Sequence, residues 1–140
     1  MYATQSNIIR GLSKKEYSIL RQLCLYARNL YNVGLYSIRQ HFFAQKRHLR
    51  YESNYHICKD NENYKLLQAG VSQQILKTVD RSFKSFFALI KKATDGAYQF
   101  RDITLPMYLK PGQLFPMVLQ ANAIAINEGR INIPLSNLFL

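Results

Sequence analysis

The stretch SQQILKTVDRSFKSFFALIKK, Ser72 to Lys92, decides the fold. Leu76, Val79, Phe83, Phe86 and Ile90 recur at spacings of three, four, three and four, which lines them along one side of an α-helix, and Phe87 widens the stripe. The spacing predicts a long helix over Val71 to Lys92. At about 100° per residue, Lys77, Arg81, Lys84, Lys91 and Lys92 fall within roughly a 100° arc away from that stripe. An apolar stripe of this length has to be covered by another element.

The cover lies upstream. Ser13-Lys14-Lys15-Glu16 matches the S-x-x-E capping box, in which the Ser side chain and the Glu carboxylate satisfy free N–H groups at a helix start. Tyr17, Leu20, Cys24, Ala27, Tyr31, Gly34 and Ile38 follow in threes and fours, so a helix is expected from Lys14 to about Arg47, with Gly34 a small contact rather than a break. The two stripes are expected to face each other. Lys14, Arg21, Arg28, Arg39 and Lys46 fall within roughly a 40° arc at the stripe's margin, so two basic helices side by side would line a channel. Between them, Tyr51 to Tyr64 is polar and rich in Asn, Asp, Glu and Tyr, a connection with short helices at most, and Gly70 ends it.

After Asp95-Gly96 the pattern changes. Prolines stand at 106, 111, 116 and 134, and helical spacing gives way to alternation. Ile124 and Ile126, then Ile131 and Ile133, flank Asn127-Glu128-Gly129-Arg130, the pattern of a β-hairpin whose Gly supplies a positive φ. The expected class is α+β, a helical module followed by a Pro-punctuated β segment, without internal repeats or low-complexity tracts. The closing run Leu138-Phe139-Leu140 reads as an open strand edge, which points to a truncated fold.

Composition suggests the partner. Of 140 residues, 48% are hydrophobic, enough for one core, while 19 Lys and Arg against 8 Asp and Glu give a formal charge of +11. A polyanion suits that excess. The competing view is a solvated face that keeps the protein soluble. Against it, Glu16 and Asp80 are the only carboxylates in the two long helices, so internal pairing cannot account for the charge. Tyr residues also crowd the basic stretches, as unstacked bases require; Tyr31 belongs to the core stripe, and Tyr51 and Tyr55 are the contact candidates. No stretch reaches the roughly 18 apolar residues of a membrane span and no leader pattern opens the chain, so a cytoplasmic location is expected. Cys24 and Cys58 read as free thiols, and His56-x-Cys58 falls short of the four ligands of a structural zinc. The remaining carboxylates lie scattered, and His41, His48 and His56 read as surface or boundary residues; no catalytic or metal site is expected.

Four ordered segments, ARNLYN (27–32), SQQILKTVDRSFKSFFALIKK (72–92), LPMYLKPGQLFP (105–116) and INEGRINIPLS (126–136), together resemble the N-terminal part of the TnpB (OrfB) family of transposon-encoded, RNA-guided nucleases, relatives of type V CRISPR effectors. The resemblance implies a helical recognition domain inserted after the first strand of an OB-like wedge barrel. Residues 1–10 would be that strand, 11–102 the helical insert and 103–140 the returning strands. It also implies contacts with a guide RNA, the guide–target heteroduplex and a short motif in target DNA. Matching positions for the DNA motif are Tyr51, Tyr55, Gln73 and Gln120; a Gln amide can both donate to and accept from a base edge. Family members continue into a RuvC-like nuclease domain and a zinc ribbon, so divalent metal and zinc are expected only there, and no cleavage is expected from this polypeptide alone. The alternative is a decayed reading frame or helical interaction module whose charge serves solubility or assembly. The nuclease-related reading hangs on one continuous cradle formed by the basic flanks of both long helices; basic side chains pointing in opposite directions, or strands after Pro106 that join no barrel, would overturn it.

Overall fold

The computed structural model describes residues 3–139. Helix α1 (Lys14–Gln45) starts at the capping box: Ser13 Oγ accepts from Glu16 N at 3.1 Å and Ser13 N donates to the Glu16 carboxylate at 2.9 Å. These bonds, the Ser13 amide first, hold the Glu16 carboxyl below its usual value. Short helices α2 (Tyr51–Cys58) and α3 (Glu62–Lys65) follow, then α4 (Ala69–Thr94), whose N–H of Val71 is capped by the Gln68 side chain at 3.1 Å.

The stripes of α1 and α4 meet as expected, with Leu30, Leu35 and Ile38 fully buried against Leu76, Val79 and Phe83. Gly34 is the point of closest approach, since a Cβ there would lie 2.7 Å from Leu76 Cδ2. Burial on α1 begins at Leu23, and Tyr17, at the head of the expected seam, is exposed. Buried polar groups set the short helices in place. Asn54 Nδ2 donates to the Gly34 carbonyl at 3.2 Å, and Ser72 Oγ donates to the Tyr64 carbonyl at 2.7 Å. Each bond satisfies a group whose burial would otherwise cost about 1–3 kcal/mol.

The C-terminal third departs from the β expectation. Its only strands among the described residues are β1 (Ala125–Asn127) and β2 (Arg130–Asn132), antiparallel, with Ile126 opposite Ile131. Glu128 (φ 50°) and Gly129 (φ 75°) form the two-residue turn, as a hairpin of this length requires. Residues 103–110 and 113–119, on either side of a turn, pair with no strand: Phe115, Met117 and Leu119 face the helices while Leu114, Pro116 and Val118 face out. The alternation was real, but it reported an extended backbone half-buried on a helical surface rather than a sheet. Residues 3–10 form no strand either, with Ile8 and Ile9 exposed, so the described residues close no barrel. A strand needs a partner, and adjacent isoleucines on opposite sides of an extended chain cannot share one buried face. Met1, Tyr2 and Leu140, parts of the expected first strand and closing apolar run, lie outside the described residues.

Side chains of α1 take the place of a neighbouring strand for this strap. Asn32 donates to the Leu109 carbonyl at 3.0 Å and accepts from its N–H at 2.9 Å, Arg39 donates to the Pro106 carbonyl at 2.7 Å, and Arg28 to the Lys110 carbonyl at 3.3 Å. Pro111-Gly112 then reverses the chain, Gly112 at φ 78°, so that Phe115 N reaches the Cys24 carbonyl at 3.2 Å. Asn32→Ala removes both Leu109 bonds and is expected to cost about 1–3 kcal/mol. Chemical denaturation would measure that loss, and hydrogen exchange would show the Leu109 amide opening ahead of the α4 core.

Candidate nucleic-acid interface

The outer face of α4 and the first turn of α2 line a groove with a volume of about 610 Å³. Lys77, Arg81 and Lys84 line one wall, each reaching outward because the opposite side of α4 is sunk in the core. The other wall carries Arg50 and Tyr51, and Lys77 Nζ sits 5.5 Å from the centre of the Tyr51 ring.

At the floor lies Asp80, only 5% exposed. His48 Nε2 is 2.8 Å from one carboxylate oxygen and Lys84 Nζ 3.0 Å from the other, so a single buried carboxylate ties the α1–α2 connection to α4. Burial pushes the Asp80 carboxyl upward, but its hydrogen bonds from Lys84 and His48 outweigh that effect and hold it below the usual carboxylate value. A carboxyl whose folded pKa is depressed stabilises the fold above its unfolded value of about 3.9, and that contribution disappears as pH falls through the folded value. Asp80→Ala is therefore expected to cost about 1.5–3 kcal/mol at pH 7, and the gap from the parent protein should shrink below about pH 4. Urea titrations at pH 7 and pH 3 would check both statements.

Of the four expected DNA-motif positions, Tyr51, Tyr55 and Gln73 lie near one another. Tyr51 and Tyr55 rings are 6.3 Å apart and Tyr55 and Tyr64 6.0 Å, with Gln73 near the Tyr64 phenol. Burial above all pushes the Tyr51 and Tyr64 phenols up, so both stay neutral. Gln120 lies instead with Gln68, Gly70 and Asn122 around a smaller pocket at the start of α4. Gly70, Gln73, Lys77 and Lys84 fall on one side of α4 at 100° per residue, so the pocket and the groove share that side.

The expected basic row of α1 is divided. Lys14, Arg21 and Lys46 are exposed, Lys46 Nζ lying 5.8 Å from the Phe42 ring centre. Arg28 and Arg39 are engaged by the strap, and the Arg39 guanidinium lies against the Phe43 and Tyr108 rings at 5.5 and 5.0 Å. The continuous cradle built from both helices is therefore not formed: strap backbone carbonyls occupy the middle of the α1 row. Lys91 and Lys92 are exposed in the last turn of α4. Sequence reasoning missed Arg50, the His48–Asp80 pair and the part α2 plays. Asp80 alone left a signal, a carboxylate at the edge of an apolar stripe that otherwise carries none.

Among the described residues no group of three His, Cys, Asp or Glu side chains is placed to hold a metal ion, and no helix is long and apolar enough to cross a membrane. Cys58 is buried, its thiol pushed up by burial, with Sγ 3.5 Å from Asn54 Oδ1. Compared with protein-family models, curated proteins and solved structures, the chain matches none.

Proposed function

We propose that this chain binds nucleic acid along the α2–α4 groove. The carrying observation is the charge of the groove. Arg50, Lys77, Arg81 and Lys84 line it, against Asp80, whose two oxygens are already engaged, and the exposed Glu52. A surface selected only for solubility mixes both signs. Here cations converge on a concavity, the arrangement that gathers phosphates and releases their counterions.

The resemblance of the four segments to the N-terminal part of TnpB-like RNA-guided nucleases would make a guide RNA and its heteroduplex with target DNA the source of those phosphates, with Gln73 and Gln120 suited to a base edge in a short DNA motif. The two-helix cradle and the wedge barrel on which that assignment hung are not formed among the described residues. The wedge barrel is the part with least support, because the strap is bound to α1 and the hairpin stands alone. Cleavage and the metal ions for it would belong, in this view, to a RuvC-like domain of the kind the family resemblance implies. The interaction-module reading is favoured by one observation, the use of Arg28 and Arg39 to hold the strap, which shows that part of the charge serves the fold.

Affinity for a structured RNA measured across a salt series separates the two. If Lys77, Arg81 and Arg50 each meet one phosphate, log K should fall against log salt with a slope of about −2 to −3. Binding that is absent at low salt, or insensitive to salt, would overturn the proposal.

A further inference from the structure

We infer that a second concavity, between α1, the last turn of α2 and the strap, is a pocket for an uncharged planar heteroaromatic ring, namely an unstacked nucleobase. The pocket stands on its own geometry; the choice of a nucleobase as its occupant rests on the nucleic-acid reading above.

This pocket shares no residue with the α2–α4 groove. Val33, Tyr36 and Ser37 line it from one side of α1, Ile57 and Asn61 from the end of α2 and the turn that follows, and Tyr108 from the strap. Its volume, about 450 Å³, falls within the roughly 300–1,000 Å³ of small-ligand sites. None of its lining residues is charged, in a chain of formal charge +11. A phosphate therefore finds no cation there, whereas a neutral ring finds apolar walls in Val33 and Ile57 and two tyrosine rings beside them.

Those rings are open and held in place. Tyr36 is 57% exposed and Tyr108 42%, which is the state of an aromatic platform waiting for a partner. Tyr108 is fixed from behind. The Arg39 guanidinium lies 5.0 Å from its ring centre, and the bonds from Arg39 to Pro106 and between Asn32 and Leu109 pin the backbone on either side of it. The strap bonds thus set an aromatic ring in position before any ligand arrives, which lowers the ordering cost of binding. Polar atoms meet the edge of the ring. Asn61 Oδ1 accepts from the backbone and side-chain N–H groups of Asn63 at 2.9 and 3.1 Å, which leaves Asn61 Nδ2 as the unpaired end among the described residues. Ser37 Oγ donates to the Val33 carbonyl at 3.4 Å and keeps its lone pairs for an incoming N–H. A base edge carries both donors and acceptors, and a hydrocarbon side chain carries neither.

The test titrates adenosine, ribose 5-phosphate and N-acetylphenylalanine amide into the full chain and follows the Val33 and Ile57 methyl groups by NMR. Adenosine should shift both, ribose 5-phosphate neither, and the phenylalanine amide less than adenosine. Tyr36→Ala should abolish the adenosine shifts and Tyr36→Phe should keep them; the position is exposed on a helix, so both variants should fold. In fluorescence anisotropy a labelled single-stranded RNA should bind Tyr36→Ala about tenfold more weakly than the parent, and an abasic strand should bind both alike. Methyl groups unmoved by adenosine, or moved more by the phenylalanine amide, would overturn the inference, the second by making the occupant a protein side chain. An RNA that binds the parent and Tyr36→Ala equally would overturn it too, while leaving nucleic-acid binding at the groove in place. Adenosine shifts with no strand bound would keep the pocket as a site for a free nucleoside and overturn the nucleic-acid reading instead.

Discussion

The Lys77→Glu/Arg81→Glu protein is expected to bind nucleic acid about 100-fold more weakly than the parent at about 0.1 M salt, and to lose about two units of salt slope. Both side chains line the groove and are exposed, and the closest bond either makes is from Arg81 to Thr78 Oγ1 at 3.0 Å, itself at the surface. Reversing them removes two phosphate contacts and adds two repulsive charges at the same place. The fold should tolerate the change, since like charges one turn apart on a helix cost only about 0.2–0.5 kcal/mol. Lys84 is left unchanged on purpose. A carboxylate at 84 would face the buried Asp80 carboxylate that now holds the ammonium at 3.0 Å, and a loss of binding could then be a loss of fold.

A matched control makes the result decisive. Lys14→Glu/Arg21→Glu changes net charge by the same amount on the exposed first turns of α1, away from the groove. If the positive charge serves only solubility, or only a diffuse attraction, the two double variants should weaken RNA binding alike in gel-shift or anisotropy measurements. If the groove is the site, only the α4 variant should fall by two orders of magnitude. Circular dichroism and the thermal midpoint of both would establish that each remains folded.

How far this site was legible in the sequence follows from what kind of information each part needed. The outward face of α4 could be read directly, because 3.6 residues per turn fixes where Lys77, Arg81 and Lys84 point once Leu76, Val79 and Phe83 are known to be buried. The helices, the Ser13–Glu16 cap and the Glu128-Gly129 turn are likewise local properties, settled within a few residues. The row on α1 was read by the same rule and misassigned, since helical geometry gives the direction of Arg28 and Arg39 but not what comes to lie there. Pro106 and Lys110 arrive from more than 60 residues away in sequence. Period-two alternation could not distinguish a strand from an extended strap, because both place every second side chain inward. The deciding fact was the availability of hydrogen-bond partners, which Asn32 and Arg39 provide from a helix.

Phe83→Ala is expected to be the most destabilising single substitution, costing about 3–5 kcal/mol. Phe83 is the largest fully buried side chain, and its ring packs against Phe86, Phe87 and His48 at 6.2, 6.3 and 6.1 Å. Truncation leaves a cavity between α4 and the α1–α2 connection that α1 is poorly placed to fill, as Gly34 already brings the helices into closest contact. Domains of this size are commonly stable by about 5–15 kcal/mol, so the variant would lose about a fifth or more of that reserve. The same change should reach the groove, because His48 rests on Phe83 and on Asp80 together, and a cavity under its ring loosens the wall that carries Arg50 and Tyr51. Phe83→Leu, which refills most of the volume, should recover most of the stability. Urea titration of both variants, beside their RNA affinities under folding conditions, would read the coupling: if Phe83→Ala loses stability as expected but binds RNA as tightly as the parent, His48 is not what holds the groove in shape.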